Sequence, residues 1–270
     1  MLRFLIAILF FVSSVRAQEG FHLGVNGAFN ASFILNQNNY GTLAPFSLLV
    51  VRQSELAYVF TPGGTAGAHL GYNFKRDWGV EVHFLYNKAG QHYEDDMYGP
   101  AVLPQGKFGT TGNKRVKVKR AVDFQYLQIP LLVKYSVGDK LTKFYVSAGP
   151  VIGTRLSAKE NVNIASYDYL PDSIKFTTNE KFRSIDFGAA LNFGVEIWFQ
   201  QAWYVNIGLH SFCSILDING KKMREVDYYS KNDIEYQQSR NFYTGINVGV
   251  NYLFNKNKVK PDKGGLRFKE

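Results

Sequence analysis

The chain has 270 residues, of which 16% are aromatic, 25 are glycine and one is cysteine, with a formal charge of +9. The mean hydropathy of −0.18 excludes a helical membrane bundle, but not a membrane barrel, whose alternating strands average out. One cysteine excludes a disulfide-stapled scaffold; Cys213 is expected to fill space as a small apolar residue.

In chain order, the first element is MLRFLIAILFFVSSVRA, residues 1–17. Arg3 supplies a basic start, residues 4–12 an apolar run, and Val15-Arg16-Ala17 a small-x-small cleavage pattern, as in a secretory signal peptide. The run is shorter than the ~20 residues a spanning helix needs. The mature chain is expected to start at Gln18; loss of Arg3 and Arg16 lowers the charge from +9 to +7. A basic exported chain suits acidic lipid or polysaccharide. Export, and the lack of a basic helix or zinc motif, argue against nucleic acid.

From residue 20 the apolar residues recur with period two, a strand signal. Eight strands are expected, at about 20–34, 62–75, 78–90, 121–137, 142–156, 183–199, 202–216 and 241–254. In the last, Phe242, Ile246, Val248, Val250, Tyr252 and Phe254 share one face, with Gly245, Asn247, Gly249 and Asn251 on the other. Short connections near residues 75–77, 137–141 and 200–201 alternate with long ones at about 35–61, 91–120, 157–182 and 217–240. Strict short–long alternation fits a chain weaving through a membrane, with turns on one side and loops on the other. A Greek-key sandwich has no reason to show it. Thirteen residues at ~3.4 Å, tilted by about 45°, project to roughly 30 Å, the thickness of a bilayer core.

The expected fold is therefore all-β: an eight-stranded antiparallel up-and-down transmembrane β-barrel, residues 18–254, with long extracellular loops and short periplasmic turns. Its greasy face meets lipid, and its Gly/Asn face makes room inside for Tyr145, Trp198, Tyr204 and Tyr243. Phe74, Trp78, Trp203, Tyr252 and Phe254 should form an interfacial girdle at the turn end. Residues 46–60, FSLLVVRQSELAYVF, are too apolar for a free loop. They read as an outward hairpin, a lid, a partner surface, or two more strands making ten. Pro130 and Pro150, in neighbouring strands, suggest a shared bulge or kink.

YLQIPLLVKY (126–135) followed by FYVSAGPVIG (144–153), with YNKAGQHYED (86–95), LNQNNYG (35–41) and the closing GVNYLF, resembles the PorT-like outer-membrane β-barrel family of Bacteroidota. The resemblance covers nearly the whole mature chain. It implies an outer-membrane barrel and little about activity, since most members have none assigned. One namesake takes part in a protein-secretion system. The closing aromatics also resemble the C-terminal signal of outer-membrane barrels, in which the Phe is last. Here residues 255–270 follow, with six Lys/Arg against two Asp/Glu. They read as a basic, disordered periplasmic tail.

No chemistry stands out, and no catalytic residue, cofactor or metal site is expected. His210 and Ser211 are adjacent in a strand and point to opposite faces. The other histidines show neither HxH nor HExxH spacing. His22, His69, His83 and His210 fall on the inward face as interior hydrogen-bonding residues. Glu81, His83, Lys134, Arg155, Asp186 and Glu196 are expected to form a polar network inside the barrel, either a structural plug or a narrow ion path. The plug is favoured, because eight strands leave little lumen. Arg115, Lys117 and Lys119 of KRVKVKR (114–120) fall outward just above the membrane, where they are placed to contact lipopolysaccharide phosphates; the bland reading is a lysine-protected strand edge. The leading reading is a non-catalytic outer-membrane protein with a structural, adhesive or partner-binding role. Alternatives are a subunit of a secretion or transport assembly, a lipid-modifying enzyme, and a soluble periplasmic sandwich.

Overall fold

The computed structural model describes residues 20–36, 57–75, 77–98, 115–139, 141–164, 174–177, 181–199, 202–221 and 238–254, with side chains throughout except at 57–58, 95–98, 115–118, 162–164 and 174–177. The strands are β1 (Gly20–Leu35), β2 (Ala57–Val59), β3 (Thr61–Asn73), β4 (Trp78–Tyr98), β5 (Arg115–Gly138), β6 (Thr142–Ile164), β7 (Ile174–Thr177), β8 (Ile185–Trp198), β9 (Trp203–Ser214) and β10 (Arg240–Phe254). Eight of them form a closed antiparallel ring, β1-β3-β4-β5-β6-β8-β9-β10, sealed by the pairing of β1 with β10 from Phe21↔Phe254 to Leu35↔Arg240. β2 pairs only with β4 and continues the line of β3; β7 pairs only with β6 and continues that of β8. They lengthen two walls without adding to the ring. Among the described residues the strand number is thus eight, and no helix is long and apolar enough to cross a membrane. Residues 57–59 of the apolar 46–60 segment belong to β2; residues 46–56 lie outside the described residues.

The two faces sort as the alternation predicts. Val25, Ile129, Phe193, Ile207 and Val248 are exposed, while Asn26's partner strands bury Asn247, Asn251 and His69 inside. The outer surface is a band of Val, Ile, Leu and Phe whose only favourable surroundings are apolar. At the turn end aromatic rings meet in pairs: Phe21–Tyr72 at 4.8 Å, Trp78–Tyr135 at 4.9 Å, Trp203–Tyr252 at 4.9 Å and Tyr252–Phe254 at 4.8 Å. Three tight turns close this end. The β5–β6 turn puts Gly138 at φ +147°, a region that L side chains avoid, and Asp139 N donates to Thr142 O at 2.9 Å.

Two expectations need correction. β4, β5 and β6 run to 21, 24 and 23 residues, well past the expected ends near 90, 121 and 156. The β5–β6 register shifts between Gln125 and Tyr126, whereas the prolines carry no shift: Pro130↔Val151 and Val133↔Ala148 belong to one register. The missing Pro N–H groups interrupt the ladder without bulging it.

Candidate functional site

The interior is layered. At the turn end Trp198 and Tyr204 stack at 4.3 Å, with Leu253 beside them, to make a floor. Above it lies a charged layer drawn from five strands. Glu81 of β4 is its hub. Its Oε1 accepts from Lys134 Nζ at 2.9 Å and from His22 Nε2 at 3.1 Å; its Oε2 accepts from His83 Nε2 at 3.0 Å. A carboxylate only accepts, so both imidazoles carry the proton on Nε2. Lys134 also pairs with Glu196 Oε1 at 2.5 Å. Lys143, buried as well, is the direct cross-strand partner of Glu196. Glu81 and Glu196 thus share the Lys134 ammonium, and the Lys143 ammonium lies 5.9 Å from the centroid of the Trp198 ring below.

Glycine makes this layer possible. Gly71 is the ladder partner of both His22 and Glu81, and a Cβ there would collide with the His22 imidazole. Gly24 stands opposite His69 and Asn251, and a Cβ would strike both. His69 stacks on its partner His83, centroids 4.5 Å apart and planes 19° apart. The small inward residues are the space into which the large ones of the neighbouring strands fold.

Next comes a small cavity of about 20 Å³, room for a single water, lined by His69, Glu81, Lys134, Tyr145 and several asparagines. Higher up, Tyr243 Oη donates to Gln128 Oε1 at 2.7 Å, and Asp186 accepts from Ser214 Oγ and, at 3.0 Å, from Asn241 Nδ2. The loop end closes with an apolar layer of Ile34, Tyr93, Val122, Phe124, Phe182 and Ile218. Beside it, buried Arg120 donates to Glu160 at 2.5 Å, and Lys181 reaches the other oxygen of Glu160 at 2.9 Å.

The six residues expected to form one network therefore occupy three places. Glu81, His83, Lys134 and Glu196 come together. Asp186 sits nearer the mouth with Ser214 and Asn241. Arg155 is half-buried and caps backbone, donating to Arg183 O at 2.9 Å and Phe182 O at 3.1 Å. Sequence reasoning placed His22 and His69 inward but outside the network; the sign that admits them is a glycine opposite each. It did not single out Lys143, Arg120 or Glu160, although Arg120, the last residue of the KRVKVKR run, is buried inside. Lys119 points outward, its side chain 61% exposed, and pairs with Glu94 at 2.9 Å. It borders a cleft of about 270 Å³ at the loop end with His92, Glu94 and Asn161. The side chains of Arg115 and Lys117 lie outside the described residues. His210 Nδ1 bonds Asn192 Oδ1 inside at 2.6 Å, while Ser211 Oγ meets Thr244 Oγ1 on the outer face at 2.8 Å, so the two share no proton path.

A closed eight-stranded ring, apolar outside and polar within, with paired aromatics at its turn end, defines a transmembrane β-barrel of the bacterial outer membrane. Residues 16–214 match the family model described as "Outer membrane protein beta-barrel domain", and the chain belongs to that family. Its short turns are thus periplasmic and its long loops extracellular. No curated protein matches it. Among solved structures it is similar to Neisserial surface protein A at 12% identity, covering 87% of this chain and 97% of that one, TM-score 0.41. It is also similar to OprG of Pseudomonas aeruginosa (14% identity, 90% and 100% covered, TM-score 0.38) and to Ail, the attachment invasion locus protein of Yersinia pestis (11%, 86% and 99%, TM-score 0.36).

Proposed function

We propose that this chain is a sealed, non-catalytic outer-membrane barrel that works through its extracellular surface, as an adhesive or partner-binding protein. The observation that carries the reading is the contrast between its two ends. The lumen is filled by ionic and apolar layers, while β4, β5 and β6 rise about eight residues past the ends of β3 and β8, roughly 20 Å at a 45° tilt, with β2 and β7 along their edges. A shut barrel with a raised wall offers surface, not a path. The test removes the wall: residues 92–121, whose ends pair in the β4–β5 ladder, are replaced by Asn-Gly. The barrel should keep its heat-modifiable gel mobility while displaying cells lose surface adherence and self-association. Unchanged adherence by a folded variant, or stepwise conductance of the intact barrel in planar bilayers, would overturn the proposal.

The same reading includes export with cleavage after Ala17, checked by N-terminal sequencing for Gln18. It also includes lipopolysaccharide phosphates as ligands of Arg115, Lys117 and Lys119, supported by the exposure of Lys119; unchanged lipopolysaccharide binding after charge reversal of all three would remove them. A second reading, a subunit of a secretion or transport assembly of the PorT type, is favoured by the basic segment 255–270, which follows the closing strand at the periplasmic end. It expects a stoichiometric partner after mild detergent extraction, lost when residues 255–270 are deleted. A lipid-modifying enzyme has no support in the arrangement of His210 and Ser211, and intact lipid A chemistry in a deletion strain would dispose of it.

A further inference from the structure

The charged layer contains more donor atoms than its ion pairs use. One donor atom from each of His22, His69 and Glu81 lies within 4.8 Å of the other two. They come from three neighbouring strands, which is why no linear HxH or HExxH spacing announces them. His22 is fully buried and His69 nearly so. Among the described residues, Nδ1 of both rings has no hydrogen-bond partner. At His69 that nitrogen is open to a ligand, and a buried ring nitrogen left unpaired is costly.

We propose that His22, His69 and Glu81 bind a divalent transition cation of the zinc type inside the barrel. Imidazole and carboxylate donors are the set that suits such ions, and two histidines with one glutamate leave a fourth position for water. Metal–donor bonds of ~2.0–2.1 Å in a tetrahedral site put the donors roughly 3.3 Å apart. His22 Nε2 and Glu81 Oε1 already stand at 3.1 Å. His69 must close on them, and it borders the small cavity that can supply the water. His83, bonded to the other oxygen of Glu81 at 3.0 Å, fixes the carboxylate's orientation. The competitor is Lys134, whose ammonium lies 2.9 Å from Glu81 Oε1. It need not be expelled: Glu196, at 2.5 Å, holds it already. On metal binding His22 shifts its proton from Nε2 to Nδ1, so this ring coordinates as a neutral ligand without losing a proton.

The test uses the full-length barrel, folded into detergent micelles with zinc present, then passed through chelator and desalting. Bound zinc is counted by elemental mass spectrometry, and folding is checked by heat-modifiable mobility. About one zinc per folded chain is expected, and His69→Gln should lower retention about tenfold or more. His69→Gln breaks no side-chain hydrogen bond at Nδ1, so the barrel should fold. Cobalt loading of the unmutated protein gives an independent readout: four- or five-coordinate cobalt absorbs intensely in the visible, and octahedral surface-bound cobalt weakly. No retained zinc, equal retention by folded His69→Gln, or a weak octahedral cobalt spectrum would overturn the site. None of these outcomes touches the adhesive reading, which is scored on the extracellular wall.

Discussion

Lys134→Met tests the charged layer directly. Lys134 bridges Glu81 at 2.9 Å and Glu196 at 2.5 Å, and the three side chains are 7% exposed or less. Methionine keeps much of the volume and removes the charge, leaving two buried carboxylates without the ammonium they shared. Removing one partner of a buried pair costs about 3–5 kcal/mol, because the other charge stays buried without compensation. One feature pulls toward the lower end: His22 and His83 still donate to Glu81. We expect a loss of about 3 kcal/mol. The assay is urea unfolding of the barrel in lipid vesicles, followed by tryptophan fluorescence and gel mobility together. The double variant Lys134→Met/Glu81→Gln removes one charge of each sign and should recover about 1–2 kcal/mol of the loss. A Lys134→Met barrel within about 0.5 kcal/mol of the parent would refute the reasoning, since ordinary surface substitutions do no more. A double variant no better than the single would show that charge balance is not what holds the layer.

Three further outcomes follow from the same geometry. Phe124→Ala, at a fully buried ring packed edge-on to Phe182 at 4.7 Å, should cost about 3–5 kcal/mol in the same unfolding assay. Gly71→Val should destabilise by about 1–3 kcal/mol or stall insertion, because its side chain needs the space of the His22 ring; pulse refolding into vesicles measures the folded fraction. Ile207→Arg, at mid-strand on the lipid face, should cost about 2–4 kcal/mol, and Leu141→Arg at the periplasmic turn about 0–1 kcal/mol, a depth dependence that a soluble sandwich would not show.

Period two in the sequence assigns each residue to a face, and that is why the inward tyrosines, the four inward histidines and the lipid-facing band were all legible. Strand ends were not. Beyond the membrane the residues of outward parity in β5 turn polar, with Arg115, Lys117, Lys119 and Asp123, while Val122 and Phe124 stay buried inside, so the outward apolar series that marks a membrane strand stops while the hydrogen-bonded ladder goes on to Arg115. The interior network was misjudged for a different reason. Parity says that Glu81, Asp186 and Arg155 all point inward; it does not say at what height. Height comes from the stagger accumulated from strand to strand, and the stagger comes from pairing. Asp186 pairs with Gly153 near the mouth, whereas Glu196, ten residues further along the same strand, pairs with Lys143 near the floor. Two inward charges on one strand can therefore belong to separate networks. The glycines carry the missing information in part. An inward glycine marks a vacancy, and the large side chain that fills it must lie on a neighbouring strand at the same level. Gly71 between His22 and Glu81, and Gly24 beside His69, fix the height of the histidine layer. A barrel of this size has little free lumen to absorb an error, so each vacancy is filled from a neighbouring strand. Reading inward glycines together with inward large residues thus sets the stagger that alternation alone leaves open.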